Sequence, residues 1–239
     1  MRVIPQLLIN GNYAYKGINF KKHKYLGDPI NIIRIFNDKY VDEMSLFDYS
    51  QNKTINYELL KKISNEAFFP ISYGGGIESL KMIEKVISCG YERVIINSHQ
   101  YKETSFLENS IKEFGTSTII AAIDIKKNFF GRYKIYTNGG RDLVKFDLAN
   151  YLIRLNNIGV SEIIINSITN DGTKSGYDYK LIDIVNEYLT NTNFIIAGGS
   201  RGKKDFDICR NDKIVSACIA GSCFVFQGKY DSVLINYNI

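Results

Sequence analysis

The stretch EIIINSITNDGTKSGYD, residues 162–178, does most to decide the fold and function of this 239-residue chain. Its first residues form a β-branched apolar run, which predicts a buried strand. The sequence then changes to small, polar and glycine residues, more of them than a simple turn needs. Asp171 is a candidate catalytic acid, and the Gly172 amide could face an anion with no side chain in the way. An ordinary Asp-Gly turn between strand and helix is the alternative.

Short β-rich runs alternate with amphipathic stretches along the whole chain. Apolar residues recur at helical spacing in 78–89 and 147–158. Eight strands alternating with helices predict an α/β fold, a (β/α)8 TIM barrel, as a single domain over residues 1–239. A doubly wound sheet also alternates, but eight units would be many for one. The strand candidates are 3–9, 44–48, 69–73, 93–97, 118–124, 162–167, 193–197 and 214–220.

Two further patterns refine the predicted barrel. Alternating residues before an Asn-Gly-Gly turn in 127–146 predict a hairpin inserted after the fifth strand. SYGGG at 72–76 followed by IINS at 95–98 is echoed by IAGGS at 196–200 followed by IAGS at 219–222. A single glycine cluster is usually a plain turn, but two in register favour a half-barrel repeat with one anion site per half.

Composition and charge argue against several classes of protein. Hydrophobic content of 45% and charged content of 23% are ordinary for a globular protein, and no Ser/Gly-rich run indicates a linker. The net charge of +5 is modest and the basic cluster at 21–24 is short, so we expect no nucleic-acid partner. No apolar run approaches the roughly 18 residues that span a membrane, so we expect no membrane partner.

The cysteine and histidine usage also limits the chemistry. The four cysteines show no CxxC spacing, and residues 1–5 lead into a strand without a signal-peptide pattern. We therefore expect reduced thiols in a cytoplasmic protein. His23 and His99 are the only histidines and neither has a matching partner nearby. We expect no metal site, no Ser-His-Asp triad and no cofactor.

Carboxylates follow three of the predicted strands, and in a barrel the strand ends share one functional face. Asp124 comes directly after IIAAI at 119–123, so it should point into the barrel mouth as a general acid or base. A helix cap or an ion pair is the alternative for Asp124. Asp48, after the second strand, is as readily structural as catalytic. Asp171 follows the sixth strand.

A second charge pattern marks the opposite ends of the strands. Two positive and two negative residues stand at the starts of strands one, two, four and six. They could close a ring of ion pairs across the barrel floor, and ordinary surface charge is the alternative. These residues are Arg2, Glu43, Arg93 and Glu162.

Together these motifs resemble the cyclase subunit of imidazole glycerol phosphate synthase, over nearly the whole chain. The block DGTKSGYD at 171–178 is the most specific match. RVIP at 2–5, DE at 42–43, GGGI at 74–77, AID at 122–124 and GG at 198–199 follow the family order. The resemblance implies a (β/α)8 barrel that receives ammonia from a glutaminase docked at its floor. It also implies that the barrel uses the ammonia at the opposite face, on a small-molecule substrate held by two phosphates.

The resemblance also implies roles for individual residues. Asp124 matches the family's catalytic aspartate on strand five, and Asp171 stays a candidate catalytic acid on the basis of its own glycine loop. Arg2, Glu43, Arg93 and Glu162 match the charged gate for ammonia. One phosphate would be held by Gly76, Asn97 and Ser98, and the other by Gly172, Gly199, Gly221 and Ser222.

One position departs from the family pattern. The family works with two facing aspartates, on strands five and one, and here Leu8 stands where the strand-one carboxylate belongs. Leucine exchanges no proton, and losing one of two acid/base groups usually costs orders of magnitude in rate. LL at 7–8, YLGDPIN at 25–31 and RIFN at 34–37 resemble a branch of cyclase-like proteins encoded with surface-polysaccharide genes.

That branch implies a different use for the ammonia. It is associated with amidation of an acetamido sugar, with ammonia from a paired glutaminase and the sugar chemistry from a separate amidotransferase. Our main hypothesis is therefore a barrel that partners a glutaminase and conducts ammonia to sugar amidation. A genuine histidine-pathway cyclase that manages with Asp124 is the second hypothesis. A non-catalytic scaffold with vestigial phosphate loops is the third.

Overall fold

The computed structural model describes residues 1–50, 54–228, 230–237 and 239. Its helices are α1 Pro29–Asn37, α2 Tyr57–Glu66, α3 Leu80–Ser88, α4 His99–Lys102, α5 Phe106–Phe114, α6 Leu148–Ile158, α7 Lys180–Tyr188, α8 Lys203–Arg210 and α9 Ser222–Val225. Its strands are β1 Arg2–Asn10, β2 Tyr13–Ile18, β3 Lys22–Gly27, β4 Met44–Asp48, β5 Ile71–Gly74, β6 Arg93–Ile96, β7 Ile119–Lys127, β8 Tyr133–Thr137, β9 Asp142–Leu143, β10 Glu162–Ser167, β11 Asn193–Ala197, β12 Val215–Ala220, β13 Phe226–Gln227 and β14 Ser232–Val233.

Eight of these strands form a closed parallel barrel. They pair in the order β10-β11-β12-β1-β4-β5-β6-β7, and β10 pairs with β7 to close the ring. Helices on the outside connect successive strands, so the predicted (β/α)8 TIM barrel is confirmed. Each strand candidate matches a barrel strand within a few residues, because β-branched runs of this length bounded by polar turns specify buried parallel strands.

The barrel has two apolar layers. Alternate residues of each strand point outward and pack against the helices, as Val3 and Leu7 do on β1. The residues between them fill the interior, where Ile4 of β1 and Ile120 of β7 belong to a separate cluster with Phe47 against it. The other members of this inner cluster are Ile95, Ala122, Ile164, Ile195, Ala197, Ala217 and Ile219.

Local sequence signals set the helix ends. The Asp28 side chain accepts a hydrogen bond from the Ile30 amide, and Pro29 occupies the first turn of α1, where its missing N–H costs nothing. Asp147 caps α6 by accepting from the Ala149 and Asn150 amides, and Gly159 ends that helix in the left-handed region. No helix in the described part of the chain is long and apolar enough to cross a membrane.

Two hairpins extend the barrel at the carboxyl ends of its strands. The hairpin predicted after the fifth strand is present, with β8 antiparallel to β7. A second hairpin, β2 with β3, follows β1, and no sequence pattern predicted it. Its turn reaches across the mouth, where the Asn19 amide donates to the Asp171 carbonyl at 2.8 Å and Asn19 Nδ2 donates to the Ile168 carbonyl at 3.0 Å.

Candidate functional site at the barrel mouth

A small polar pocket with a cavity volume of about 10 Å³, open to solvent, lies at the carboxyl ends of β1, β11 and β12. It includes Asp171 and all four residues of one predicted phosphate site, Gly172, Gly199, Gly221 and Ser222. Gln6, Lys16, Lys174, Gly198, Ser200, Ile219 and Ala220 complete the lining. The structure therefore brings together residues from widely separated parts of the sequence.

Close backbone approaches explain the glycines of this pocket. Gly172 and Gly199 both have positive φ angles, 72° and 106°. A Cβ at Gly172 would overlap the Gly17 carbonyl oxygen, and one at Gly199 would overlap the Gly176 carbonyl oxygen. The Ser222 hydroxyl is buried and has no hydrogen-bond partner. An anion in the pocket would satisfy that hydroxyl.

Lys16 is the main residue that the sequence pattern did not indicate. It lies on β2 and is only 3% exposed, and its ammonium occupies the space that a Cβ at Gly221 would fill. Burial lowers the pKa of Lys16, and nearby Asp171 opposes that effect. Burial likewise raises the pKa of the Asp171 carboxyl, which Lys16 opposes. The pocket thus combines a buried cation and a buried acid, which suits a phosphorylated ligand.

Asp124 occupies the interior of the mouth with two amide partners. Asn97 Nδ2 donates to Asp124 Oδ2 at 2.7 Å, and Asn166 Nδ2 donates to Asp124 Oδ1 at 3.2 Å. Burial raises the pKa of Asp124 to about 6, although both amide hydrogen bonds oppose the shift. A carboxyl with that pKa changes protonation near neutrality, which a general acid or base requires. The side-chain oxygens of Asn97 and Asn166 are buried without partners.

The other residues predicted at the mouth do not line the pocket. Gly76 and Ser98 follow the adjacent strands β5 and β6, outside the residues that line the pocket, and Asn97 is bonded to Asp124 instead. Asp48 accepts a hydrogen bond from the Ser50 amide at 2.8 Å, and the Tyr73 hydroxyl lies 3.4 Å from it. This geometry fits the structural alternative for Asp48.

Leu8 has an apolar and aromatic environment. On the sheet it is in register with Tyr15 of β2 and Phe47 of β4. Tyr15 continues into an aromatic group on the hairpin, with ring centroids 5.8 Å from both Tyr25 and Tyr49. His23 stacks on Tyr49 at 4.1 Å. Leu8 is therefore part of an apolar and aromatic wall of the mouth.

The four charged residues at the strand starts form a closed cycle of ion pairs. Arg2 contacts Glu43 at 2.8 Å and also Glu162, while Arg93 contacts Glu162 at 2.5 Å and Glu43 at 3.6 Å. Both carboxylates are buried. Burial raises the pKa of Glu43, and both arginines oppose that shift. The cycle lies at the amino ends of the strands, and the inner apolar cluster separates it from the mouth.

Glu162→Gln is expected to lower the free energy of unfolding by about 2 kcal/mol, because it leaves two partly buried guanidinium groups with a single carboxylate. Urea unfolding of the variant measures the loss. The matched control is Glu66→Gln, which removes the exposed ion pair with Arg34 and should leave stability unchanged. Equal losses of unfolding free energy in the two variants would show that the ion-pair cycle contributes no more to stability than an exposed ion pair does.

The polar pocket of this parallel barrel lies among the loops that follow the strands. The chain is therefore a (β/α)8 barrel protein with its functional site at the carboxyl ends of the strands. Comparison with known proteins narrows that class. The chain belongs to the histidine biosynthesis protein family, whose model matches residues 2–231.

Its relatives in the family are imidazole glycerol phosphate synthase subunits of the HisF type. A Pseudomonas aeruginosa protein, provisionally named subunit hisF2, is 40% identical over 240 residues, 99% of this chain and 95% of that protein. A Vibrio vulnificus protein, provisionally named subunit hisF3, is 33% identical over 99% of this chain and 92% of its own length. Subunit HisF of Alkaliphilus metalliredigens is 33% identical over 95% and 90%.

Proposed function

We propose that this chain is the barrel subunit of a glutaminase-coupled pair and that it conducts ammonia to the amidation of a surface-polysaccharide sugar. One observation carries the proposal. An apolar cluster lies between the ion-pair cycle at the floor and a mouth in which position 8 carries a leucine, a residue without acid/base chemistry.

The interior favours neutral ammonia as the transported species. Ile4, Ile120 and Ile219 belong to a buried apolar cluster, so an ammonium ion passing it would lose its hydration with little compensation. Neutral ammonia avoids most of that cost. The ion-pair cycle at the amino ends then acts as the gate through which ammonia enters from the glutaminase. Relatives of the chain are named as synthase subunits, which supports an enzyme built from two different chains.

The mouth supports delivery of ammonia more than ring closure on this chain. Asp124 has no facing carboxylate at position 8, where Leu8 adjoins Tyr15 and Phe47. A leucine accepts no proton, so a two-carboxylate mechanism has lost one of its groups. A separate amidotransferase would then carry out the sugar chemistry. The pocket around Lys16 would hold a phosphorylated ligand, and ammonia would be delivered when that ligand is bound.

The expected result is that this chain raises the turnover of its purified glutaminase partner at least tenfold. It should also carry ¹⁵N from labelled glutamine into an acetamido sugar when the amidotransferase is present. Glu162→Gln should reduce the amount of labelled sugar, because it removes one carboxylate from the ion-pair cycle that gates the apolar interior. The matched control is Glu108→Gln, which removes an exposed ion pair with Arg154 between the outer helices α5 and α6. A glutaminase whose rate is unchanged by the wild-type chain would overturn the proposal and leave a scaffold role.

A histidine-pathway cyclase is the second candidate, and the Asp124 site favours it. Asp124 keeps a pKa of about 6 and two amide partners, and the pocket residues around Gly172 are in place. If the chain is such a cyclase, it should convert the histidine-pathway cyclase substrate with ammonium salts as the only source of ammonia. Asp124→Asn should abolish that conversion. No turnover by the wild-type chain would eliminate it.

A further inference from the structure

The β7–β8 hairpin ends in two adjacent phenylalanines that face solvent. Phe129 is 97% exposed and Phe130 is 81% exposed, and their ring centroids lie 5.7 Å apart with the ring planes at 86°. Strand β7 continues three residues beyond Asp124, which carries the tip of the hairpin roughly 10 Å past that carboxyl. The tip is therefore an apolar projection from the face of the barrel that holds the mouth, and exposed apolar groups of this size usually mark an interaction site.

Hydrogen bonds fix the conformation of this tip. The Asn128 side-chain oxygen accepts from the Phe130 amide at 3.0 Å and from the Arg132 amide at 2.9 Å. The Asn128 amide donates to the Arg132 carbonyl at 2.9 Å, and the Gly131 amide donates to the Asn128 carbonyl at 3.0 Å. Both rings are thus presented on a preformed turn, so little ordering of the backbone would accompany binding.

The chain around the tip is strongly basic. Residues 125–141 contain five basic residues and no acidic one. Lys126 of β7 is in register with Lys134 of β8, so the two side chains project from the same face of the hairpin. Exposed Arg132 lies between Lys134 and the tip. The apolar tip is therefore flanked by positive charge on both strands of the hairpin.

The pairing of Lys126 with Lys134 has an energetic cost. Like charges directly opposite each other on antiparallel strands are destabilising. Lys127 differs, because its amino group contacts the Asp178 carboxylate at 2.9 Å. The Lys126 amino group lies over the Tyr136 ring at 5.9 Å, too far for a strong interaction. An anionic surface placed against the hairpin would relieve this repulsion.

The combination of an apolar tip and flanking cations selects among partners. A small anion would contact the lysines and leave both phenylalanines in water. A folded protein would need a deep recess that fits two rings at 86° to each other. The interface of a lipid bilayer adapts to the shape of the rings, and anionic headgroups attract lysine and arginine near the membrane surface. The charge and the shape of the hairpin therefore favour a lipid surface.

We infer that the tip of the β7–β8 hairpin binds the surface of an anionic lipid membrane. Phe129 and Phe130 enter the interface between headgroups and acyl chains, and Lys126, Arg132 and Lys134 lie against the lipid phosphates. The expectation of no membrane partner rested on the lack of a spanning run, which a surface contact does not need. The inference is independent of the proposed function, and it turns the mouth of the barrel toward the membrane.

The test is sedimentation of the full chain with sucrose-loaded vesicles at physiological salt. Binding should be at least tenfold tighter when about a third of the phosphatidylcholine is replaced by phosphatidylglycerol. The double variant Phe129→Ser, Phe130→Ser should bind the anionic vesicles at least tenfold more weakly than wild type. The matched control is Phe68→Ser, which removes an 86% exposed phenylalanine in the loop between α2 and β5, on the floor, and should bind as wild type does.

A second double variant tests the contribution of charge. Lys126→Gln with Lys134→Gln should remove most of the preference for anionic vesicles. It should leave the melting temperature unchanged or higher, because the repulsion between the two lysines is gone. A preference that survives in this variant would contradict the role of the basic face.

Three other results would overturn the inference. The first is wild-type protein that does not sediment with anionic vesicles, which would leave the tip to a protein partner. The second is equal binding by wild type and by the Phe129→Ser, Phe130→Ser variant. The third is an equal loss in the Phe68→Ser control, because any exposed apolar group would then produce the binding. Stimulation of the glutaminase is measured without lipid, so the proposed function is tested separately.

Discussion

Asp124→Asn is expected to stabilise the barrel by about 3 kcal/mol at pH 8 and to have almost no effect on stability at pH 4. Burial raises the pKa of Asp124 to about 6, so the ionised carboxylate is disfavoured in the folded protein. Each pKa unit corresponds to about 1.4 kcal/mol, and a shift of roughly two units sets the size of the effect. The asparagine carries no charge at any pH.

The direction with pH follows from proton binding in the two states. A carboxyl whose pKa is raised by folding holds its proton more tightly when folded than when unfolded. Stability of the wild-type protein therefore falls as pH rises from about 4, the ordinary value, through about 6. The variant does not titrate at this position, so its advantage over wild type grows across the same interval and is constant above it.

The surrounding amides should accommodate the new side chain. Asn97 and Asn166 donate to Asp124, and their own side-chain oxygens have no partners. Turning one of these amides would give the introduced amide group an acceptor. Urea unfolding at pH 8, 6 and 4 measures the difference from wild type. A difference that is the same at all three values would contradict the buried-charge account. Acid/base groups of functional sites are expected to reduce the stability of the folded protein in this way, because their function requires a shifted pKa.

The sequence predicts the barrel and its charged floor because both follow from periodic features. Runs such as Ile119–Ile123 specify buried strands on their own, and parallel strands place all their starts on one face. Arg2 and Glu162 could therefore be grouped although 160 residues separate them. The Asp124 position follows in the same way, because it comes directly after such a run.

The pocket could be predicted only in part because it depends on contacts that no local pattern encodes. The β2–β3 hairpin has lysines and glycine where a strand usually shows apolar alternation, so no local pattern indicates that Lys16 is buried. Its burial arises because Gly17 packs under Gly172 and the ammonium lies against Gly221. Tyr15 and Tyr25 are two of 17 tyrosines spread along the chain, and only their tertiary contacts show that they cluster beside Leu8.

Gly221→Ala is expected to weaken binding of a small phosphate monoester, such as glycerol 3-phosphate, at least tenfold while the fold is preserved. The new methyl group would overlap the Lys16 Nζ and Cε atoms. These atoms are the end of a flexible side chain, so Lys16 can move away at little cost to stability. A phosphate would then lose a charge-assisted hydrogen bond, a contribution of about 1.5–3 kcal/mol.

A double-mutant cycle shows whether the loss acts through Lys16. Lys16→Gln alone should weaken phosphate binding by a similar factor, and adding Gly221→Ala to it should cause little further loss, because the displaced cation is already absent. Gly11→Ala is the control for a glycine substitution away from the pocket: its Cβ would meet nothing within 4 Å, and its φ angle of 60° makes alanine strained there, so a small loss of stability with unchanged phosphate binding is expected. Calorimetric titration at one fixed salt concentration measures wild type and all four variants. Additive losses would mean that the methyl group obstructs the phosphate itself, and that Lys16 and Gly221 contribute to the pocket independently.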